Sequence, residues 1–555
     1  MKINKQTLFL SAIIVLSFVL RFYQLSTVPP HLTPDEASLG YNAYSILKTG
    51  RDEYGQLLPI IFKSFGDYKP GLYIYTTIPF VALFGLNEFS VRATSALSGV
   101  IAVLLLYLIT KKLFPDKEHR YLPYITSLLL SVAPWHIMFS RGAWEINLSL
   151  TLTLLGVYFF LKIPDNIRNL YYSVLSFALT FSAYQGAKLS TGIVVLLVII
   201  TQLETVRRIP VKRYFSAGLI AILVSLPILM SLFNGKAGRL AVFSVFSYPR
   251  SESYIAHFIA ESGISKNTLP YYLYYSETQN FARGVFGRWF NHFSGRFLFF
   301  EGDWQNPRHT APNHGVLNLA DMVLLPIGVF VLIKNSRRKN IIFVILWLLT
   351  ACLPAVLSRD QVHAVRSYNM VIPVVITLGL GIQFLVNSFR GISRNVVIFG
   401  TVIVYLVGFI YFLDAFFVHL PSHASKLWEY GYKQIVETVS PLENDYDNIY
   451  VQQSYAQPYI FFLFFNKVDP ATYQKQAKLA ESTSGDVGHI EKVGKISFID
   501  IDWSRVRGEK GSIIVGDTLH IPVSDSKEGK EFHIIKEIPY LDGKNIAFRV
   551  IAINK

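Results

Sequence analysis

The chain has 555 residues, of which 52% are hydrophobic and 16% charged, against about 25% charged in an ordinary globular domain. A mean hydropathy of +0.36 is more than a water-soluble core needs, so a fold made only for water is excluded. The net charge of +15 would suit nucleic acid in a soluble protein. Beside so much apolar sequence it fits Lys and Arg gathered on the cytoplasmic face of a membrane, and no nucleic-acid partner is expected.

About eleven apolar runs follow one another, at residues 8–20, 93–110, 122–139, 146–161, 170–184, 191–203, 214–233, 316–333, 341–357, 370–386 and 396–417. Several are shorter than the roughly 20 residues of an untilted span and need their aromatic and small flanks to complete a crossing. The first run has the length of a signal peptide, but no small-residue cleavage site follows it. Arg21-Phe22-Tyr23-Gln24 reads instead as an interfacial flank, so an uncleaved helix is expected. Cys352, the single cysteine, lies inside an apolar run and rules out an intrachain disulfide.

The connections set the topology. With Lys2 and Lys5 cytoplasmic, every second connection is basic: Lys111, Lys112, Lys117 and Arg120; Lys162 and Arg168; Arg207, Arg208, Lys212 and Arg213; Lys334, Arg337, Arg338 and Lys339; Arg390 and Arg394. The apolar segment 71–86 would reverse that parity if it crossed. It is short and contains Pro79, Thr76 and Thr77, so it is expected to lie along the membrane surface. The other side then receives a first loop at 22–92, turns at 140–145 and 185–188, a large loop at 234–315 and a turn at 358–369. Beyond residue 420 Lys, Glu, Asp and Gly replace Leu and Ile, with β-rich runs at 448–451, 496–501, 512–515, 532–535 and 546–553. The expected fold class is mainly α: a polytopic transmembrane bundle over 1–420, with extracytoplasmic juxtamembrane helices, then a small extracytoplasmic α/β domain over 421–555. No internal repeat or low-complexity tract interrupts it.

The chemistry-bearing residues sit in the outward connections. Thr33-Pro34-Asp35-Glu36 has the form of a capping box, which accounts for Glu36 and leaves Asp35 in the first turn at the membrane edge. Gly66-Asp67-Tyr68-Lys69 precedes the surface helix, where an ammonium could meet a lipid phosphate or merely snorkel to headgroups. Arg92 opens the next span with the same two readings. Ser140-Arg141-Gly142-Ala143-Trp144-Glu145 supplies a basic residue and an acid that could cap a helix, pair with Asp35 or share a divalent cation. His363 and Arg366 are three residues apart, and Arg366 suits phosphate. Tyr368 follows, and the large loop adds Glu301, Asp303, Arg308 and His309 as substrate or structural contacts. No His-rich or paired-Asp ligand set stands out, so no metal ligand is expected.

These motifs resemble the C-type glycosyltransferases, specifically the protein O-mannosyltransferase and lipid A aminoarabinose transferase group. The shared features are the Asp-Glu pair as Pro34-Asp35-Glu36-Ala37, a Lys-Pro-Pro-Leu-Tyr-like stretch as Lys69-Pro70-Gly71-Leu72-Tyr73, an Arg-x-Pro-Ser element as Arg92-Ala93-Thr94-Ser95, and an acid at Glu145. The likeness spans residues 1 to about 390, with Gly71 and Thr94 in place of Pro and Glu145 where many members have Asp. It implies a GT-C fold and an inverting enzyme that takes a sugar from a polyprenyl-phosphate donor. The acceptor would be a hydroxyl of a protein, lipid or glycan, reached at the external face of the cell membrane. In that scheme Asp35 is the base, Glu36 and Glu145 orient it or the acceptor, and Lys69, Arg92, Arg141, His363 and Arg366 bind the donor phosphate. No cofactor is required, a divalent cation remaining an option. A transporter or flippase for a lipid-linked anion would use similar charges, and a ligase with a diphosphate-linked donor is a nearer alternative.

Overall fold

The computed structural model describes residues 4–233, 244–247, 249–453, 457–480, 488–522, 524–525 and 527–554. Each of the apolar runs forms a helix. In chain order the first nine are α1 (Lys5–Phe22), α2 (Pro34–Thr49), α3 (Leu72–Phe84), α4 (Glu88–Leu113), α5 (Leu122–Val132), α6 (Pro134–Arg141), α7 (Glu145–Leu161), α8 (Asn169–Ala183) and α9 (Ala187–Thr201). Pro134 removes a backbone donor between α5 and α6, which meet at a 55° bend. Among the described residues six helices are long and apolar enough to cross a membrane, seven if that bent pair is one span. The remaining runs give α7, α8, α9 and Asp321–Lys334, of 14 to 17 residues.

Between α2 and α3 the chain turns back in a hairpin, β1 (Ile61–Ser64) against β2 (Asp67–Pro70). The tail carries a six-stranded sheet in the order Lys492–Val493, Ile496–Ile499, Asn448–Gln452, Ser512–Gly516, Ile546–Ile553, Phe532–Pro539. Asn448–Gln452 runs parallel to both its neighbours and the other pairings are antiparallel. Five of the six strands fall on the β-rich runs of the sequence, while the short edge strand Lys492–Val493 was not among them.

The first loop and the tail share one apolar core. Leu32, Tyr41, Phe62, Tyr73 and Val91 pack in the same cluster as Tyr432, Tyr459, Phe461 and Phe464. Gly40 makes this closeness affordable in space, since a Cβ there would lie 2.5 Å from Val91 and 2.6 Å from the Phe464 ring. The backbone segments that carry Asp35 and Lys69 are therefore clamped between the bundle and the sheet.

Candidate active site

The N-terminus of α2 forms the expected capping box. Glu36 N donates to Thr33 Oγ1 at 3.3 Å, and Thr33 N donates to Glu36 Oε2 at 3.0 Å. Glu36 is turned inward and Asp35 outward, the Asp35 side chain being 64% exposed. Glu36 is also the hub of a buried network. Arg92 Nε donates to its Oε1 at 3.0 Å and Ala143 N to the same oxygen at 2.8 Å. The other Arg92 nitrogens donate to the carbonyls of Leu25, Pro29 and His31 at 3.1, 2.9 and 2.6 Å. One ion pair thus ties α2, α4 and the turn ahead of α7 together, and so fixes where Asp35 and Glu145 stand.

The β1–β2 turn is Phe65-Gly66, with φ of 54° and 87°, the doubly positive pattern whose twist suits a two-residue hairpin. It sets Asp67 opposite Ser64 and Lys69 opposite Phe62, on one face of the strand. The Lys69 ammonium bonds to the Asp35 carboxylate. Burial opposes its charge, but Asp35, Glu145 and Asp67 outweigh that and hold Lys69 above its ordinary pKa. Glu145, the first residue of α7 and ahead of its apolar run, has a buried Oε1 with no hydrogen-bond partner among the described residues. Burial pushes its carboxyl up to about 7, Lys69 pulling it down and Asp35 and Asp67 adding to the rise.

A second group of side chains comes from the loop around Asp303 and the turn around His363. Arg366 Nη1 donates to Asp360 Oδ2 at 2.9 Å. Tyr184 stands in the fields of both Glu145 and Arg366, which links the two groups electrostatically. Asp303, His309 and His363 are buried with ligand atoms all within 4.8 Å of one another. His309 Nδ1 and Ala364 N each donate to Asp303 Oδ2 at 2.8 Å, and Asn306 N donates to Asp303 Oδ1 at 3.0 Å. Donor types and spacing there fit a divalent cation that would replace the His309–Asp303 bond. The sequence reading missed this set because its members lie up to sixty residues apart. Burial holds the His363 imidazole well below its ordinary pKa, with Arg366 adding to the effect; at His309 burial lowers and Asp303 opposes.

Residues 69–230 match the family model described as dolichyl-phosphate-mannose-protein mannosyltransferase. The whole fold is similar to that of ArnT from Cupriavidus metallidurans bound to undecaprenyl phosphate, at 12% identity and a TM-score of 0.54, covering 98% of this chain and 97% of that one. The same enzyme in the apo state matches at 12% identity and a TM-score of 0.54, with 99% and 98% covered. The chain has the GT-C fold of that transferase. An oligosaccharyltransferase from Archaeoglobus fulgidus is more distant, with 11% identity, a TM-score of 0.48, and 83% and 63% of the chains covered. No curated protein matches the sequence. With its apolar helices, this fold makes the chain a multi-pass membrane protein.

Several residues expected to touch substrate are placed otherwise. Arg92 is fully buried with its nitrogens committed to Glu36 and three carbonyls, so it holds the scaffold instead of facing a phosphate, and Glu36 is its partner, not a free acid. Arg141 is also fully buried, donating to the Leu20 and Val28 carbonyls at 2.9 Å each and lying 4.8 Å over the Phe417 ring. His363 packs its ring 5.2 Å from that of His309 and is kept neutral by burial, which removes the charge a phosphate contact would use. Tyr368 is buried in the bundle with its hydroxyl donating to Asn147 Oδ1 at 3.0 Å. Glu301 is 52% exposed and paired with Arg296, and Asp303 is fully buried between its own loop and the 358–369 turn, where Ala364 N donates to it. Asp67 accepts from Tyr68 N at 2.8 Å, and the Tyr68 carbonyl accepts from Gln185 at 2.7 Å. Arg308 is half-buried, its field reaching His309, His363 and Glu429. Glu429, from the segment after the last span, was not anticipated.

Proposed function

We propose that the chain moves a monosaccharide from a polyprenyl-phosphate carrier to a hydroxyl of an acceptor protein, lipid or glycan. The reaction takes place on the extracytoplasmic side of the cell membrane, the N-terminus being cytoplasmic and the tail external. The single observation that supports this best is the meeting of Asp35, Lys69 and Glu145, from three separate connections, at the end of the bundle. The similarity to an ArnT that holds undecaprenyl phosphate supports a lipid phosphate as carrier.

In this reading the Asp35 carboxylate accepts the proton of the acceptor hydroxyl as its oxygen bonds to the anomeric carbon. The bond from that carbon to the phosphate oxygen breaks, and its electrons leave with the lipid phosphate. Lys69 and Arg366, with Arg308 near, stabilise the charge that grows there. Attack opposite the leaving phosphate inverts the anomeric centre. Without donor, Lys69 neutralises Asp35; a phosphate that draws the ammonium toward itself frees the carboxylate, so the base becomes competent when the donor is in place. Glu145 orients the acceptor, and Glu36 and Arg92 hold both acids in register.

The test is transfer by purified protein from radiolabelled polyprenyl-phosphate sugars. Wild type is expected to transfer, and Asp35→Asn to be slower by about 100-fold or more. An Asn variant as fast as wild type would remove Asp35 from the mechanism. Activity confined to diphosphate-linked donors, or movement of lipid without transfer, would overturn the reading itself.

A further inference from the structure

The segment that follows the last span forms a wall of the site. The Trp428 ring lies 6.3 Å from that of Trp144 and under the Arg92 guanidinium at 5.9 Å. Trp144, immediately before Glu145, lies 5.3 Å from His309. Between Trp428 and Tyr430, Glu429 has a φ of 55°, a left-handed conformation that glycine takes freely and glutamate does not. The turn is held by Glu429 N donating to the Lys426 carbonyl at 3.1 Å and Tyr430 N to the Ser425 carbonyl at 2.9 Å.

Three polar atoms on this wall are buried and without a hydrogen-bond partner among the described residues: Glu429 Oε2, Trp428 Nε1 and Trp144 Nε1. A buried carboxylate oxygen with nothing to accept is a costly arrangement that a native fold keeps only for a reason. Arg308 and Asp35 are the charges that act on Glu429, and its neighbour Trp428 packs on Trp144, the residue immediately before Glu145. One acceptor and the indole donor of half-buried Trp144 match a carbohydrate hydroxyl, which both donates and accepts, while fully buried Trp428 backs Trp144 from the core.

We propose that Glu429 is a carbohydrate-binding residue of the active site, accepting a hydrogen bond from a ring hydroxyl beside Trp144 and Trp428. The inference rests on the sugar-transfer reading above and adds a contribution from the tail to a site otherwise built by the bundle. The hydroxyl belongs to the donor sugar or to a glycan acceptor, two sources with the same chemistry.

Both Glu429→Gln and Glu429→Ala keep the backbone cost of an L residue at this φ, so they compare side chains alone. Donor and acceptor KM and kcat are measured for each, with thermal unfolding in detergent as the control. Glu429→Ala is expected to raise one KM by about tenfold, as for loss of a buried hydrogen bond; Glu429→Gln, which keeps a carbonyl acceptor, is expected to raise it less. A shift in donor KM assigns the donor sugar, and a shift in acceptor KM the acceptor. Unchanged KM values for both substrates, or activity lost only in step with melting temperature, would overturn the inference while wild-type transfer leaves the enzymatic reading standing. Wild type that transfers nothing would overturn both.

Discussion

Arg92 shows how a charged side chain in an outward connection can serve geometry. Its nitrogens meet a carboxylate and three carbonyls in a place closed to water. Removing one partner of such a pair strands the other, at a cost of about 3–5 kcal/mol. Arg92→Ala is therefore expected to lower the melting temperature in detergent sharply. Arg92→Lys is expected not to restore it, because an ammonium cannot reproduce the planar fork of donors. A normal melting temperature with weakened donor binding would return Arg92 to the phosphate. Glu53 offers a test in pH. It is fully buried, with Asn42 Nδ2 donating to Oε1 at 3.0 Å, and burial raises its carboxyl to about 8, Asn42 pulling the other way. The folded chain thus keeps this proton to a higher pH than the unfolded one. Its contribution favours folding below about 4.5 and is lost as pH rises toward about 8. Glu53→Gln, a mimic of the protonated form, is expected to match wild type in thermal melts near pH 5. At pH 8 it should exceed wild type by on the order of 1–3 kcal/mol. Equal melts at both pH values would remove Glu53 as the source of that slope.

The β1–β2 hairpin decides where Lys69 stands, and Gly71 decides how the hairpin joins α3. Gly71 N donates to the Ile60 carbonyl at 2.9 Å, and a Cβ at this position would lie 2.4 Å from the buried Phe62 ring. This explains why the proline of the resembled motif is absent here: it would lack the N–H and fill the space taken by Phe62. Gly71→Ala is expected to displace Phe62 and cost about 1–3 kcal/mol, with transfer activity falling because Lys69 moves; kinetics beside a denaturation curve would reveal both. An alanine variant with native stability and rate would show that Phe62 gives way freely. Thr94, the other departure from the motif, donates to the Thr76 carbonyl at 3.1 Å and joins α4 to α3 through a contact that proline cannot make.

The site exists only because the bundle and the tail are packed as one, and that arrangement has a definite orientation to test. A cysteine introduced as Glu301→Cys is expected to react with an impermeant thiol reagent on intact cells, the native Cys352 being buried and silent. Labelling only after lysis would reverse the proposed topology. The features readable in the chain were those with a local cause. Apolar runs have to become helices where backbone groups lack water, alternation marks strands, Thr33 and Glu36 announce their own cap, and Asp35 and Lys69 stood out as charged residues of the outward connections, though not as partners of each other. What the tertiary structure alone decided was partnership across long separations: Arg92 turned from substrate to scaffold, Asp303 joined to His309 and His363, and Trp428 packed against Trp144 from nearly three hundred residues away. Burial is what gives each of these residues its role, and burial depends on which segments pack together, a property no local stretch of sequence carries.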